Sequence, residues 1–129
     1  MSDADRLARG EALLRQMHGA RGEATMQELR DIAPDLADLV ATHAFTDLYA
    51  RPGLDLKTRQ FATVTALIAM GDSPAQLEVH MRAALRLGWT QTELVELIMQ
   101  MSAYAGFPAA LKAVGALRAA LLMQVEDGA

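Results

Sequence analysis

Apolar residues recur at helical spacing along almost the whole chain, and the breaks between the runs hold glycine or proline. The first run, SDADRLARGEALLRQM, puts Leu7, Leu14 and Met17 roughly on one side of a helix that ends near Gly19. Residues 20–25, rich in glycine and charge, read as a loop, and MQELRDIA as a short helix. Pro34 suits a first helical turn, where its missing N–H is no loss. PDLADLVATHAFTDLYA then aligns Leu36, Leu39, Val40, His43 and Ala44 in one apolar stripe. RPGLD is a turn, and Asp55 is placed to cap a helix from Leu56 to about Met70. That helix carries Phe61, Val64, Leu67 and Ile68 inward and ends at Gly71.

Two further helices carry start signals. Ser73, Pro74 and Gln76 read as N-cap, first turn and the closing side of a capping box, with Gly88 ending the helix. Thr90 and Glu93 form a second capping box for a helix that runs to Ala105 and stops at Gly106. FPAALKAVGALRAALLMQ is the last helix, and the tail VEDGA is expected to fray. No stretch alternates as a strand. The expectation is an all-α, single-domain bundle of about six helices.

Composition agrees with that pattern. Of 129 residues, 52% are hydrophobic and only 5% aromatic, so Ala, Leu and Met carry the apolar content. The net charge of −4 has no basic cluster beside it, which argues against nucleic acid. Cysteine is absent, which removes disulfides, thiolate metal sites and a Cys nucleophile. The charged N-terminus shows no signal peptide, and the continuous apolar runs fall short of the ~18 residues of a spanning helix. The chain reads as soluble and cytoplasmic.

Few polar residues are placed for chemistry. With Leu77 as origin, Met81, Ala84 and Leu85 form the stripe of their helix, and His80 lies about 60° to one side, at a rim. Glu78 is on the far side and does not face it. His80 is either a hydrogen-bonded structural histidine or an acid–base group at a pocket. His43 sits on an apolar stripe with Asp47 one turn on, placed to orient it, and His18 reads as surface. Arg51 and Arg59 flank the RPGLDLKTR turn, where guanidinium groups can hold carboxylates bidentately or bind a neighbouring subunit. Glu93, Glu96 and Gln100 share a face with Tyr104. Glu93 is explained by capping, and Glu96 is either half of an acid–base pair or solvated. The eight methionines read as core filler rather than a metal site, and zinc spacings, phosphate loops and nucleophile elbows are all missing.

The order of motifs resembles the carboxymuconolactone decarboxylase family. RPGL…TR, L-x-x-H-x-x-x-A, G-x-T-x-x-E-L-x-E and Y-x-G-x-P-A-A occur in the family's order and spacing, over a core of about residues 34–122. One branch is similar to the alkylhydroperoxidase-like proteins, with C-x-x-C-x-x-x-H. Here that frame reads Ser73-x-x-Gln76-x-x-x-His80, so the histidine is kept and thiol chemistry is excluded.

The other branch implies loss of CO2 from 4-carboxymuconolactone to give 3-oxoadipate enol-lactone in aromatic breakdown, with neither metal nor organic cofactor. Such a site must hold carboxylates, stabilise a developing oxyanion and return a proton to carbon. The resemblance makes His80 the proton donor, at an ordinary pKa near ~6.5. It makes His43 a second catalytic group, Arg51 and Arg59 the anion holders, and Glu96 and Tyr104 further substrate-binding residues. It also implies a homo-oligomer joined through helix faces, a hexamer built from dimers or a trimer, with a small carboxylated molecule as its partner. Two rivals stand beside this reading. One is another acid–base enzyme on the same scaffold, an isomerase, cyclase or hydrolase. The other is a small-molecule-binding oligomer in which the histidines are structural.

Overall fold

The computed structural model describes residues 1–126; residues 127–129, the end of the tail expected to fray, lie outside the described residues. Among the described residues every regular element is helical. They are α1 (Asp3–Ile32), α2 (Pro34–Leu39), a π-helix (Val40–Tyr49), α3 (Leu56–Met70), α4 (Pro74–Arg86), α5 (Gln91–Ala105) and α6 (Phe107–Glu126). The all-α expectation holds. The chain divides into two compact units, Met1–Leu56 and Lys57 onward.

In the first unit α1 corrects two expectations. Residues 20–25 are helical, not a loop, and the two expected helices run on as one element kinked at Gly19. Gly19 has φ 67° and ψ −157°, a conformation open to glycine because it has no Cβ. The kink folds the two limbs of α1 towards each other. A cleft of about 210 Å³ lined by Glu11, Leu14, Arg15, Glu23, Met26, Gln27 and Arg30 lies there. Its charges pair across it, Arg15 with Glu23 at 3.1 Å and Arg30 with Glu11 at 3.9 Å.

The helix from Pro34 changes character at Val40. The Ala50 N–H donates to the Phe45 carbonyl five residues back, at 3.0 Å, and the Thr46 hydroxyl to Ala41 O at 3.3 Å. With that wider turn the buried positions are Ala37, Ala41 and Phe45. Leu36 and Leu39, expected on the inward stripe, are 51% and 59% exposed. The small Ala41 and Gly10 bring the π-helix against α1, where a Cβ on Gly10 would stand 1.8 Å from Ala41 O. Arg6 pairs with Asp47, and Thr46 donates to Arg6 O at 2.6 Å, closing the same contact. His18, expected at the surface, is buried edge-on to Phe45, ring centres 5.9 Å apart.

In the second unit α3 to α6 share one core. Val64 and Ile68, Leu77 and Met81, Leu94, Leu97 and Ile98, and Ala113, Leu117 and Ala120 meet there, with Phe61, Leu67 and Leu85 at its margin. The expected inward residues of α3 and α4 are therefore the observed ones. Thr90 and Glu93 form the expected capping box, and hydrogen bonding from the Thr90 backbone holds the Glu93 carboxyl below the usual range. Gly71, Gly88 and Gly106 follow their helices with positive φ.

The capping box at Ser73 does not form. The Ser73 hydroxyl donates to Asp72 Oδ1 at 3.2 Å instead, and the start of α4 rests on Pro74. By length and composition Phe107–Val125 of α6 is apolar enough to cross a membrane, which continuous runs alone did not reveal. Lys112 and Arg118 interrupt it, and Ala113, Ala116, Leu117 and Ala120 bury one side in the helical core.

Candidate active site

His80 lies on α4 at the rim of the buried stripe, half-buried, as its helical angle implies. Its partner is Gln60 of α3, a side chain with no exposed surface. Gln60 Nε2 donates to the His80 carbonyl oxygen at 2.7 Å and stands 3.0 Å from the ring Nδ1. A primary amide carries two hydrogens, so one nitrogen serves both contacts. Turning the amide over would place its oxygen 2.7 Å from another carbonyl oxygen. The chemistry of the contact thus fixes which end of the amide is which. Nδ1 accepts, and the ring hydrogen sits on Nε2.

Electrostatics agree with that tautomer. Burial pushes the His80 pKa down to about 4, because desolvation disfavours the imidazolium. An N–H facing Nδ1 also leaves no acceptor for a second ring hydrogen. The titrating donor of ordinary pKa expected from the sequence is thereby corrected: at pH 7 the ring is neutral and Nε2–H is a hydrogen-bond donor.

The start of α3, which leads into Gln60, is held by Trp89. The indole Nε1 donates to Lys57 O at 2.8 Å, its ring packs on Phe61 with centres 4.3 Å apart, and the Lys57 ammonium lies 4.4 Å from the ring centre. Gln60, Val64 and Ile68 then fall on one face at i, i+4 and i+8. The amide enters the apolar side of α3 through this spacing. Gln60 Oε1 is buried and accepts no hydrogen bond from any described residue. Arg82, two residues after His80 on α4, is also buried, at 3% exposure.

The other expected residues stand as follows. Arg59 precedes Gln60 on α3 and is half-buried. Glu96 and Tyr104 are exposed on α5, Tyr104 at 79%. His43 and Arg51 belong to the Met1–Leu56 unit, and both are exposed. His43 is not on an inward stripe, because the π-helix turns Ala41 and Phe45 inward in its place. Asp47 is not its orienting partner either, because that carboxylate is taken by Arg6. Sequence reading missed Gln60 and Arg82, since both residue types read as surface. The signal for Gln60 was its position on the Val64–Ile68 stripe.

Comparison with known proteins gives the same family as the motifs. The Carboxymuconolactone decarboxylase family matches residues 34–119, more than half of the chain. The chain is 33% identical over 110 residues to 4-carboxymuconolactone decarboxylase of Acinetobacter baylyi, covering 84% of this chain and 81% of that protein. It is 32% identical over 109 residues to an uncharacterized 15.0 kDa protein of Paracoccus denitrificans, with the same coverage of 84% and 81%. A nitrosuccinic acid decarboxylase of Metarhizium robertsii is 30% identical over 77 residues, 60% of this chain and 53% of that protein. The chain belongs to the carboxymuconolactone decarboxylase family.

Proposed function

We propose that this protein decarboxylates a small carboxylated lactone, with 4-carboxymuconolactone as substrate and 3-oxoadipate enol-lactone and CO2 as products. The observation that carries the reading is the neutral, half-buried His80 ring with its hydrogen on Nε2. Two relatives named as decarboxylases support the reaction class.

The chemistry needs a place for an electron pair. The bond from ring carbon to carboxylate breaks, CO2 leaves, and the pair moves through the ring alkene to the lactone carbonyl oxygen. A fixed N–H aimed at that oxygen stabilises the charge as it forms and needs no reorganisation at that moment. A neutral imidazole suits the task, since its own charge does not change. A proton from water then adds to the carbon beside the carbonyl, which closes the balance. Arg59, beside Gln60 on α3, is the residue we assign to a substrate carboxylate. Phe61 and Leu67 on the same helix supply apolar surface, beside which a carboxylate leaves more readily as neutral CO2.

The protein acts as a homo-oligomer in this reading. Met99 on α5 and Leu111, Leu122 and Val125 on α6 are each at least 60% exposed, and apolar surface of that kind suits a second copy. The test of function is direct: 4-carboxymuconolactone is generated in situ and mixed with purified protein, and CO2 release and enol-lactone formation are followed. Turnover above the uncatalysed rate is expected. Its absence overturns this substrate.

A further inference from the structure

His80 does not set its own state. Every hydrogen on the Gln60 amide ends on that one residue, the backbone carbonyl fixing the amide's orientation and the ring nitrogen receiving what remains. We propose that Gln60 is the positioning residue of the site: its amide holds the His80 ring with the hydrogen on Nε2, so that His80 meets substrate as a neutral donor of fixed direction. The proposal rests on the reading of His80 as the group that faces the reacting oxygen.

Three observations support it. The amide is completely buried on an otherwise apolar stripe, where leucine or methionine fills the space without a polar group to satisfy. Its nitrogen makes both of its contacts to His80, while its oxygen accepts no hydrogen bond from any described residue. The backbone anchor at 2.7 Å sets the direction from which the amide of α3 meets the His80 ring. The charged residues on the helices that share this core include Lys57 and Arg59 on α3, Glu78, Arg82 and Arg86 on α4, Glu93 and Glu96 on α5, and Lys112 and Arg118 on α6. Burial is the cause that lowers the His80 pKa.

Replacing the amide by a carboxylate inverts the instruction. A carboxylate at position 60 accepts where the amide donated. It draws a hydrogen onto Nδ1 and favours the imidazolium. The test uses full-length protein labelled with 15N in histidine, and reads the ring nitrogens of His80 by NMR from pH 5 to 8. Wild type is expected to show hydrogen on Nε2 and no titration across that range. Gln60→Glu is expected to carry hydrogen on Nδ1 and to titrate within it. The same spectrum from both proteins overturns the proposal.

Gln60→Leu gives a second arm that does not depend on a buried charge folding well. It is expected to keep its melting temperature and KM while kcat falls at least about tenfold, the mark of a lost orientation. An unchanged kcat overturns the proposal too. If wild type does not turn over 4-carboxymuconolactone, the substrate assignment fails, and the NMR arm still decides whether Gln60 sets the ring.

Discussion

Both hydrogens of the Gln60 amide end on His80, one on its carbonyl oxygen at 2.7 Å and one toward Nδ1 at 3.0 Å. A residue that reads as surface polar thereby governs the one histidine that the family motif retains. The relationship turns a question about a helix rim into a statement about protonation, and that statement has consequences for stability and for rate.

Stability follows from linkage. The His80 pKa is about 4 in the folded protein, against 6.5 for the ordinary group. Between those values the unfolded chain binds the proton and the folded chain does not, so stability falls as pH drops through that window and levels off below about 4. A depression of this size corresponds to roughly 3 kcal/mol at most. Urea unfolding at pH 7 and pH 4.5 measures it. Carboxylates contribute to both proteins, so the readout is a difference: His80→Leu is expected to lose less stability than wild type over this interval. Equal losses contradict the buried, neutral ring.

The two units were not equally legible from sequence. Local signals survived in part: Thr90 and Glu93 cap α5 as a box of four consecutive residues, whereas the Ser73 hydroxyl turns to Asp72 and leaves its box unformed. The stripes of α3 and α4 also held, because both are regular α-helices. The stripe after Pro34 failed because the close approach of Gly10 to Ala41 turns Ala37, Ala41 and Phe45 inward at four-residue spacing, continued by the π-helix from Val40, and leaves Leu36 and Leu39 of α2 exposed. The end expected at Gly19 became a kink, since glycine permits a sharp change of direction as readily as a stop. At the site, the helical angle found His80, whereas the polar side chain of Gln60 outweighed its place on the Val64–Ile68 stripe. The partnership of Gln60 with His80 spans 20 residues and exists only once α3 meets α4.

Two glycine substitutions of the same kind are expected to have opposite signs. Alanine at a helical glycine ordinarily stabilises by about 1 kcal/mol. Gly115→Ala on α6 follows that rule, because an added Cβ meets nothing within 4 Å. At Gly10 the Cβ would lie 1.8 Å from Ala41 O and 2.6 Å from Ala41 C, both backbone atoms of the π-helix. Gly10→Ala is expected to cost about 3 kcal/mol or more. Chemical denaturation of the pair checks both signs, and a neutral Gly10→Ala contradicts the close packing of α1 on the π-helix.

Assembly gives a further test. If the exposed apolar face of α6 is covered by a second copy, then charge placed on it opposes association. Light scattering on wild type is expected to return a multiple of the 13.9 kDa chain mass. Leu111→Glu combined with Leu122→Glu is expected to return a smaller species with unchanged helix content. A wild type that scatters as a single chain at micromolar concentration removes the homo-oligomer from the account.

The central claim is that His80 Nε2–H stabilises the charge that forms as CO2 leaves. The measurement closest to it is the steady-state rate with 4-carboxymuconolactone for wild type and His80→Leu side by side, with melting temperatures recorded on the same samples. Loss of one such donor ordinarily costs on the order of a hundredfold in kcat. The account predicts a fall of that size in a variant that remains folded at the assay temperature. A folded His80→Leu protein that turns over like wild type would contradict it.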